Sequence, residues 1–195
     1  MMRKIVFSIP VVFVLPLYLG MQLCTLVFGG ERAFVSAAAG LGTIPGIFGD
    51  FLRKAYYFLA LDGFSPSAGL GFGSFFSHRQ SRMGPRSSCG AYCILGTCTI
   101  GSRVLMGSAV HILSGKGQHI YDQNGRLVDG SYERVTIGDD SWIGNGAIIM
   151  ASVGRGCIIG AGAVVINEIG DYAIAGGNPA RIIRQREGSP APDAG

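Results

Sequence analysis

An aliphatic residue followed by glycine recurs along the chain at Met83-Gly84, Leu95-Gly96, Ile100-Gly101, Met106-Gly107, Ile137-Gly138, Ile143-Gly144, Val153-Gly154 and Ile159-Gly160. Within runs the spacing is six: Ile94, Ile100, Met106 and Ile112; Ile137, Ile143 and Ile149; Val153, Ile159 and Val165. An α-helix cannot hold a six-residue period on one face, because 3.6 does not divide it, and a flat strand repeats every two. A coil with three short sides of about six residues satisfies the pattern. The aliphatic residue and the small residue two before it (Val104, Val110, Ala147, Cys157, Ala163) then point inward. The glycine that follows is expected to turn the corner with backbone angles closed to residues bearing a Cβ. The fold class is therefore mainly β, a left-handed parallel β-helix of hexapeptide repeats, with an N-terminal apolar helical segment and a short C-terminal helix. Two slips interrupt the rhythm, a step of five from Leu95 to Ile100 and a step of four from Ile149 to Val153.

The composition agrees with a repeated turn. Glycine supplies 32 of 195 residues without a collagen period, and charged residues reach only 14%, well below the roughly 25% of ordinary soluble domains. A net charge of +4 with no basic run or basic-aromatic interleaving gives no reason to expect nucleic acid. Cys24, Cys89, Cys93, Cys98 and Cys157 fit no common zinc or redox spacing, and read as small apolar fillers of a reduced cytosolic protein.

The N-terminus is of another kind. After Arg3-Lys4 the chain is uncharged from Ile5 to Gly30, long enough for a bilayer. A cleaved signal peptide is disfavoured, since the small-residue cluster Ser36–Ala39 lies beyond Glu31 and Arg32. A spanning helix would carry Pro10 and Pro16, and an interfacial element is the other reading. Residues 50–61 follow as an amphipathic helix with Arg53 and Lys54 beside an aromatic-aliphatic face, suited to an anionic membrane surface. The expected organisation is a membrane-associated helical region over residues 1–62, a β-helix domain over 63–186 with a loop at 114–134, and a disordered tail over 187–195. The expected location is the cytoplasmic face of the membrane.

From Val135 to Arg184 the sequence resembles the hexapeptide acyltransferases that include galactoside, maltose and exopolysaccharide O-acetyltransferases. The resemblance rests on Val135-Thr136-Ile137-Gly138-Asp139-Asp140-Ser141-Trp142-Ile143-Gly144, on Ile159 to Val165, and on Ala175-Gly176-Gly177-Asn178-Pro179-Ala180-Arg181. It implies a homotrimer with acetyl-CoA as co-substrate in the grooves between copies, no metal, and a carbohydrate acceptor. Trp142 and Asn145 would line the acetyl end, and Gly160 and Ala161 would admit the pantetheine arm. Gly177, Asn178 and Pro179 would follow its outer part, and Arg181 and Arg184 would meet the nucleotide phosphates, which guanidinium forks match.

A sugar hydroxyl must lose its proton as it attacks the thioester, and a neutral imidazole suits that task. In the resembled family the base is a histidine at the start of the loop excursion. His119 is the candidate here, although several relatives place the base directly after the small-Gly pair, where this chain has Lys116. His111, sent outward by alternation, and Asp122, a candidate to orient His119, complete the acceptor pocket with Trp142. The expected reaction is O-acetylation of a sugar hydroxyl on a surface-polysaccharide or lipid-linked precursor. The alternatives are N-acetylation of an amino sugar, a zinc-dependent γ-type carbonic anhydrase using the three histidines, and a non-catalytic scaffold.

Overall fold

The computed structural model describes residues 2–186, with side chains described for residues 12–26 and 29–186. The tail from Glu187 to Gly195, expected to be disordered, lies outside the described residues. Helices α1 (Met2–Phe28), α2 (Gly30–Gly42) and α3 (Gly46–Ala60) precede a series of two- and three-residue strands that begins at Gly63.

These strands stack into three parallel sheets around an apolar axis, the triangular β-helix that the six-residue period predicts. The first face buries Phe64, Met83, Ile100, Ile137, Val153 and Ile169 in register. The second buries Leu70, Cys89, Met106, Ile143, Ile159 and Ala175. The third buries Phe76, Leu95, Ile112, Ile149 and Val165. From the first face to the second, and from the second to the third, the step is six in every coil. All the irregularity sits at the corner between the third face and the first, where the steps are 7, 5, 25, 4 and 4. The two slips in the sequence rhythm are thus one corner seen in two different coils. The four-residue sides keep only single bridges, Ile137 to Val153 and Val153 to Ile169, where longer sides form ladders.

The glycine after each aliphatic does not turn the corner as expected. The left-handed backbone falls two residues later, at Arg86, Arg103, Asp140, Gly156 and Tyr172 on one corner and at Gly73, Tyr92, Ala109, Gly146 and Gly162 on the next. The post-aliphatic glycines answer a different constraint: a Cβ on Gly144 would lie 2.5 Å from the amide nitrogen of Ala161 in the next coil, and one on Gly101 would lie 2.8 Å from that of Asp139. They are small so that coils can touch. Buried serines sew the same places. Ser74 Oγ donates to the Gly90 carbonyl and accepts the Cys93 amide, and Ser141 Oγ donates to Gly154 and accepts Cys157. Cys93 and Cys157 take the serine position in their own coils, their Sγ atoms 3.2 and 3.0 Å from the carbonyls of Gly107 and Gly170. The filler reading of the coil cysteines fits this packing.

The helices close the first coil, whose apolar interior would otherwise end in water. Tyr57, fully buried, lies 5.2 Å edge-on to Phe76 and accepts its backbone N–H through the hydroxyl. Arg53, also buried, donates to the carbonyls of Leu70, Leu41 and Ile44, tying the end of α2 and the second face to α3. A guanidinium among the last carbonyls of a helix is favourably placed against its dipole. Helix α1 covers this unit with a stripe of Val14, Tyr18 and Met21. Its other sides are apolar and exposed, at Val12, Phe13, Leu15, Leu17, Leu19, Leu23 and Leu26. Among the described residues, no helix is long and apolar enough to cross a membrane.

The expected C-terminal helix is instead a strand. Residues Arg181–Gln185 run antiparallel to Ala173–Gly176, after a reversal in which Gly177 has φ +96° and the Asn178-Pro179 peptide is cis. The last coil offers a row of unpaired N–H and C=O groups, which a returning strand satisfies and a five-residue helix would not. Adjacent Ile182 and Ile183 favour the extended form.

Two outcomes check this packing. Gly144→Ala should lower the unfolding free energy by about 1–3 kcal/mol through overpacking, whereas Gly160→Ala, whose Cβ would find nothing nearer than 3.6 Å, should change it by less than about 0.5 kcal/mol in denaturant titrations. Burial pushes the Cys98 thiol up to about 12 and raises that of Cys157, while Cys24 is exposed. Thiol titration of the native protein at pH 8 should therefore show one fast-reacting group, the other four appearing only on unfolding.

Candidate active site

Stacking carries the same corner position from coil to coil, so each corner becomes a column with its own chemistry. The column between the first and second faces is charged. Arg103 pairs with Asp140, whose carboxyl the Arg103 hydrogen bond holds below the usual range, and Arg155 pairs with Asp171 at 3.0 Å while lying 5.3 Å from the Tyr172 ring centre. Asp139 and Asp171 use their Oδ1 atoms to accept backbone amides of the preceding coil, from Ser102 and Arg155.

The column between the second and third faces is nearly free of side chains. It runs through Ser108-Ala109, Asn145-Gly146 and Ala161-Gly162 to Gly176-Gly177. A Cβ on Gly146 or on Gly162 would meet nothing within 4 Å. Asn145 keeps to the wall, its Oδ1 accepting the Ser108 amide at 2.9 Å. Three coil steps separate Ser108 from Gly177, about 14 Å at the spacing of neighbouring strands. At the far end the column is closed by aromatic rings, Phe72 and Tyr92, 5.6 Å apart and edge-on.

The flanking sheet faces are apolar outside as well as inside. On the second face Leu105, Trp142, Ile158 and Ile174 stand in register, with Trp142 and Leu105 more than half exposed. On the third face the ladder is Phe75, Ile94, His111, Ile148 and Val164. The outer residues of the first face are Gly63, Arg82, Thr99 and Thr136, which are polar or small.

Of the residues singled out in the sequence, Asn145, Gly160, Ala161, Gly177, Asn178 and Pro179 therefore fall on one column. Trp142 stands beside it on the second face, and Arg181 and Arg184 follow on the returning strand at the column's C-terminal end. His111 is half-buried one strand away, on the third face. His119 and Asp122 are elsewhere, on a hairpin of His119–Tyr121 and Leu127–Asp129 that projects from the corner between the third and first faces. Within one chain the whole third face separates this hairpin from the bare column.

The hairpin assigns its acids differently from the sequence reading. Asp122 Oδ1 accepts the amides of Asn124 and Arg126, so this carboxylate builds the turn. Asp129, directly across from His119 in the antiparallel register, puts Oδ1 3.5 Å from Nδ1. Asp122 as the partner of His119 is thus replaced by Asp129. The substitution was foreseeable only by pairing the strands around Asn124-Gly125, which sets 119 against 129. Lys116, at the base of the hairpin, reaches Asn167 at 3.5 Å, and Arg134 reaches the Thr99 hydroxyl at 3.3 Å. Ser108, Ala109, Gly146 and Gly162 are the column residues that the sequence reading missed. Their signal was the second and third positions after each inward residue of the second face. Among the described residues no cluster of three histidine, cysteine or acidic side chains is arranged to hold a metal ion.

Comparison with known proteins bears on the repeat and the fold. The bacterial transferase hexapeptide profile (six repeats) matches residues 134–167. A chloramphenicol acetyltransferase of Agrobacterium fabrum is 49% identical over 65 residues, which is 32% of this chain and 30% of that protein. The chain thus spans under a third of this curated relative. A maltose O-acetyltransferase from Clostridium difficile 630 superposes with a TM-score of 0.67 at 25% identity, over 80% of this chain and 87% of that one. A galactoside acetyltransferase in complex with coenzyme A gives a TM-score of 0.68 at 21% identity over 80% of each chain, which shows a shared fold.

Proposed function

We propose that this hexapeptide-repeat protein, similar to the acetyltransferases of that fold, transfers an acetyl group from acetyl-CoA to a sugar hydroxyl. The observation that carries the reading is the bare column from Gly177 to Ser108, with Arg181 and Arg184 at one end, Phe72 and Tyr92 closing the other, and Trp142 beside it on the second face. A pantetheine arm is long, thin and amide-bearing. A column of small residues with open space at Gly146 and Gly162 accommodates it, and guanidinium groups at the column mouth suit its phosphates.

Transfer is direct in this reading. The acceptor oxygen attacks the thioester carbonyl, its proton passes to the neutral imidazole of His119, and the coenzyme A thiolate leaves and is then protonated. Asp129 holds the ring through Nδ1 and leaves Nε2 to accept the proton. A hydroxyl acceptor fits the hairpin better than an amine: Asp122 is spent on the turn and Asp129 on His119, which leaves few carboxylates for an ammonium group.

His119 serves the column of a neighbouring copy in this account, because its own chain places a sheet face in between. Two apolar outer faces flanking the column invite that assembly, since monomers rarely leave such ladders in water. A heterologous contact between copies closes as a ring when its rotation is threefold. A homotrimer is the assembly this reading adopts. The apolar residues that α1 exposes on the sides away from Val14 and Met21 further support attachment to a membrane surface, which would suit an acceptor carried on a lipid or a growing polysaccharide at the cytoplasmic face.

Three outcomes test the proposal. Calorimetric titration should show acetyl-CoA binding that Ala109→Tyr weakens at least tenfold; the backbone there tolerates the side chain, as Tyr92 occupies the same left-handed position one coil earlier. His119→Ala should lower acetyl transfer to a panel of free sugar acceptors by about 10²–10⁴-fold while leaving acetyl-CoA affinity intact. Ile148→Lys, placed on the outer third face, should convert the oligomer to a folded monomer in light-scattering measurements and abolish transfer. Acetyl-CoA affinity unchanged in Ala109→Tyr, or acetyl transfer unchanged in His119→Ala or Ile148→Lys, would contradict the assignment.

A further inference from the structure

Helices α1 and α2 leave an open groove of about 710 Å³ between them, lined by Pro16, Leu17, Gly20, Met21 and Cys24 from α1 and by Arg32, Ala33, Ser36 and Ala37 from α2. Two features set it apart from an ordinary helix seam. The residues that would close it are small: Gly20, Ala33, Ser36 and Ala37 face each other where Leu or Ile would pack a bundle, and a Cβ on Gly20 would meet nothing within 4 Å. The only charge in the lining is the exposed guanidinium of Arg32. An apolar trough with a single cation in its lining is complementary to an amphiphile whose hydrocarbon chain fills the trough and whose anionic head meets the guanidinium.

The groove is also continuous with the exposed apolar sides of α1, at Leu15, Leu17, Leu19 and Leu23, so a chain could enter it without crossing a polar rim. From these observations we infer that the α1–α2 groove binds one acyl chain of an anionic membrane phospholipid, with the headgroup phosphate on Arg32. This deepens the membrane-surface reading above and rests on it. One ordered lipid would hold α1 against α2 at a defined depth and fix how the coil sits over the bilayer. A second helix as occupant would need ridges to enter the trough and would leave Arg32 facing apolar surface.

The full-length protein allows a direct test, because Cys24 lines the groove and is the exposed thiol among those described. The probe is dihexanoyl phosphatidylglycerol below its micellar concentration, with dihexanoyl phosphatidylcholine and glycerol phosphate as comparisons. Phosphatidylglycerol should slow maleimide modification of Cys24 at least fivefold in a saturable, one-site manner, and native mass spectrometry should show one bound lipid. Phosphatidylcholine should bind more weakly, and glycerol phosphate should give no protection. Gly20→Leu, which fills the trough in space that is empty, should remove both effects relative to its own lipid-free rate, and Arg32→Gln should weaken phosphatidylglycerol binding several-fold. No protection by either lipid, retention of protection in Gly20→Leu, or equal binding of the two lipids would overturn the inference.

Sedimentation with phosphatidylcholine vesicles containing phosphatidylglycerol separates the two layers of the reading. Vesicle binding without monomeric-lipid protection leaves membrane attachment standing and removes the groove. Monomeric-lipid binding without vesicle binding does the reverse.

Discussion

Every functional feature of this protein depends on coils that stack in exact register. A strand pair of only two residues has little stability alone, so the order comes from cooperation among six coils that bury one shared axis of Leu, Ile, Val and Met. The requirement for contact explains residues that are otherwise puzzling. Glycines such as Gly144 and Gly138 are small because the next coil's backbone occupies the place of their Cβ. Serines and cysteines such as Ser74 and Cys157 are buried because a hydroxyl or thiol can join the carbonyl of one coil to its neighbour. Register also turns a local sequence choice into a long surface feature: repeating a small pair at one corner makes a channel, and repeating charged pairs at another makes a ladder of ions.

How much of this could be read from the sequence varied with the range of the interaction. The period of six reports which side chains point inward, and it is local, so the β-helix was legible from Ile100, Met106 and Ile112, although Ile94 of the same run stands outside and Leu95 takes the inward place. The role of the glycines was not. Close approach between residues 16 to 38 positions apart leaves no local trace, whereas a left-handed φ is the familiar reason for glycine. The slips at Leu95–Ile100 and Ile149–Val153 looked unrelated until the faces were laid out and both fell on one corner. The C-terminal helix failed for a similar reason: whether Arg181–Gln185 coils or extends is decided by the unpaired edge of Ala173–Gly176, not by its own residues.

The candidate site shows the same division. Its column residues were legible as a group through their resemblance to known acetyltransferases, and the fold aligns them. The partner of His119 was not legible. Asp122 is nearer in sequence, but the hairpin register gives the histidine to Asp129 and uses Asp122 for the turn. The position of His119 across a full sheet face from the column could not be guessed from spacing, and it makes the proposed chemistry a property of an assembly. The N-terminal region adds a second asymmetry. Arg53 is buried and spent on carbonyls, so the cation expected to face a membrane is instead a fastener, while the exposed aliphatic sides of α1 carry the apolar surface.

The central claim is that the corner between the second and third faces receives acetyl-CoA. Amide hydrogen exchange of the full-length protein, followed with and without saturating acetyl-CoA, tests it most directly. The account predicts slowed exchange in peptides containing Ser108-Ala109, Asn145-Gly146, Ala161-Gly162 and Gly177, with no change at Arg103, Asp140 and Arg155 on the charged corner. Protection confined to the charged corner, or none at any corner while the ligand is bound, would contradict it.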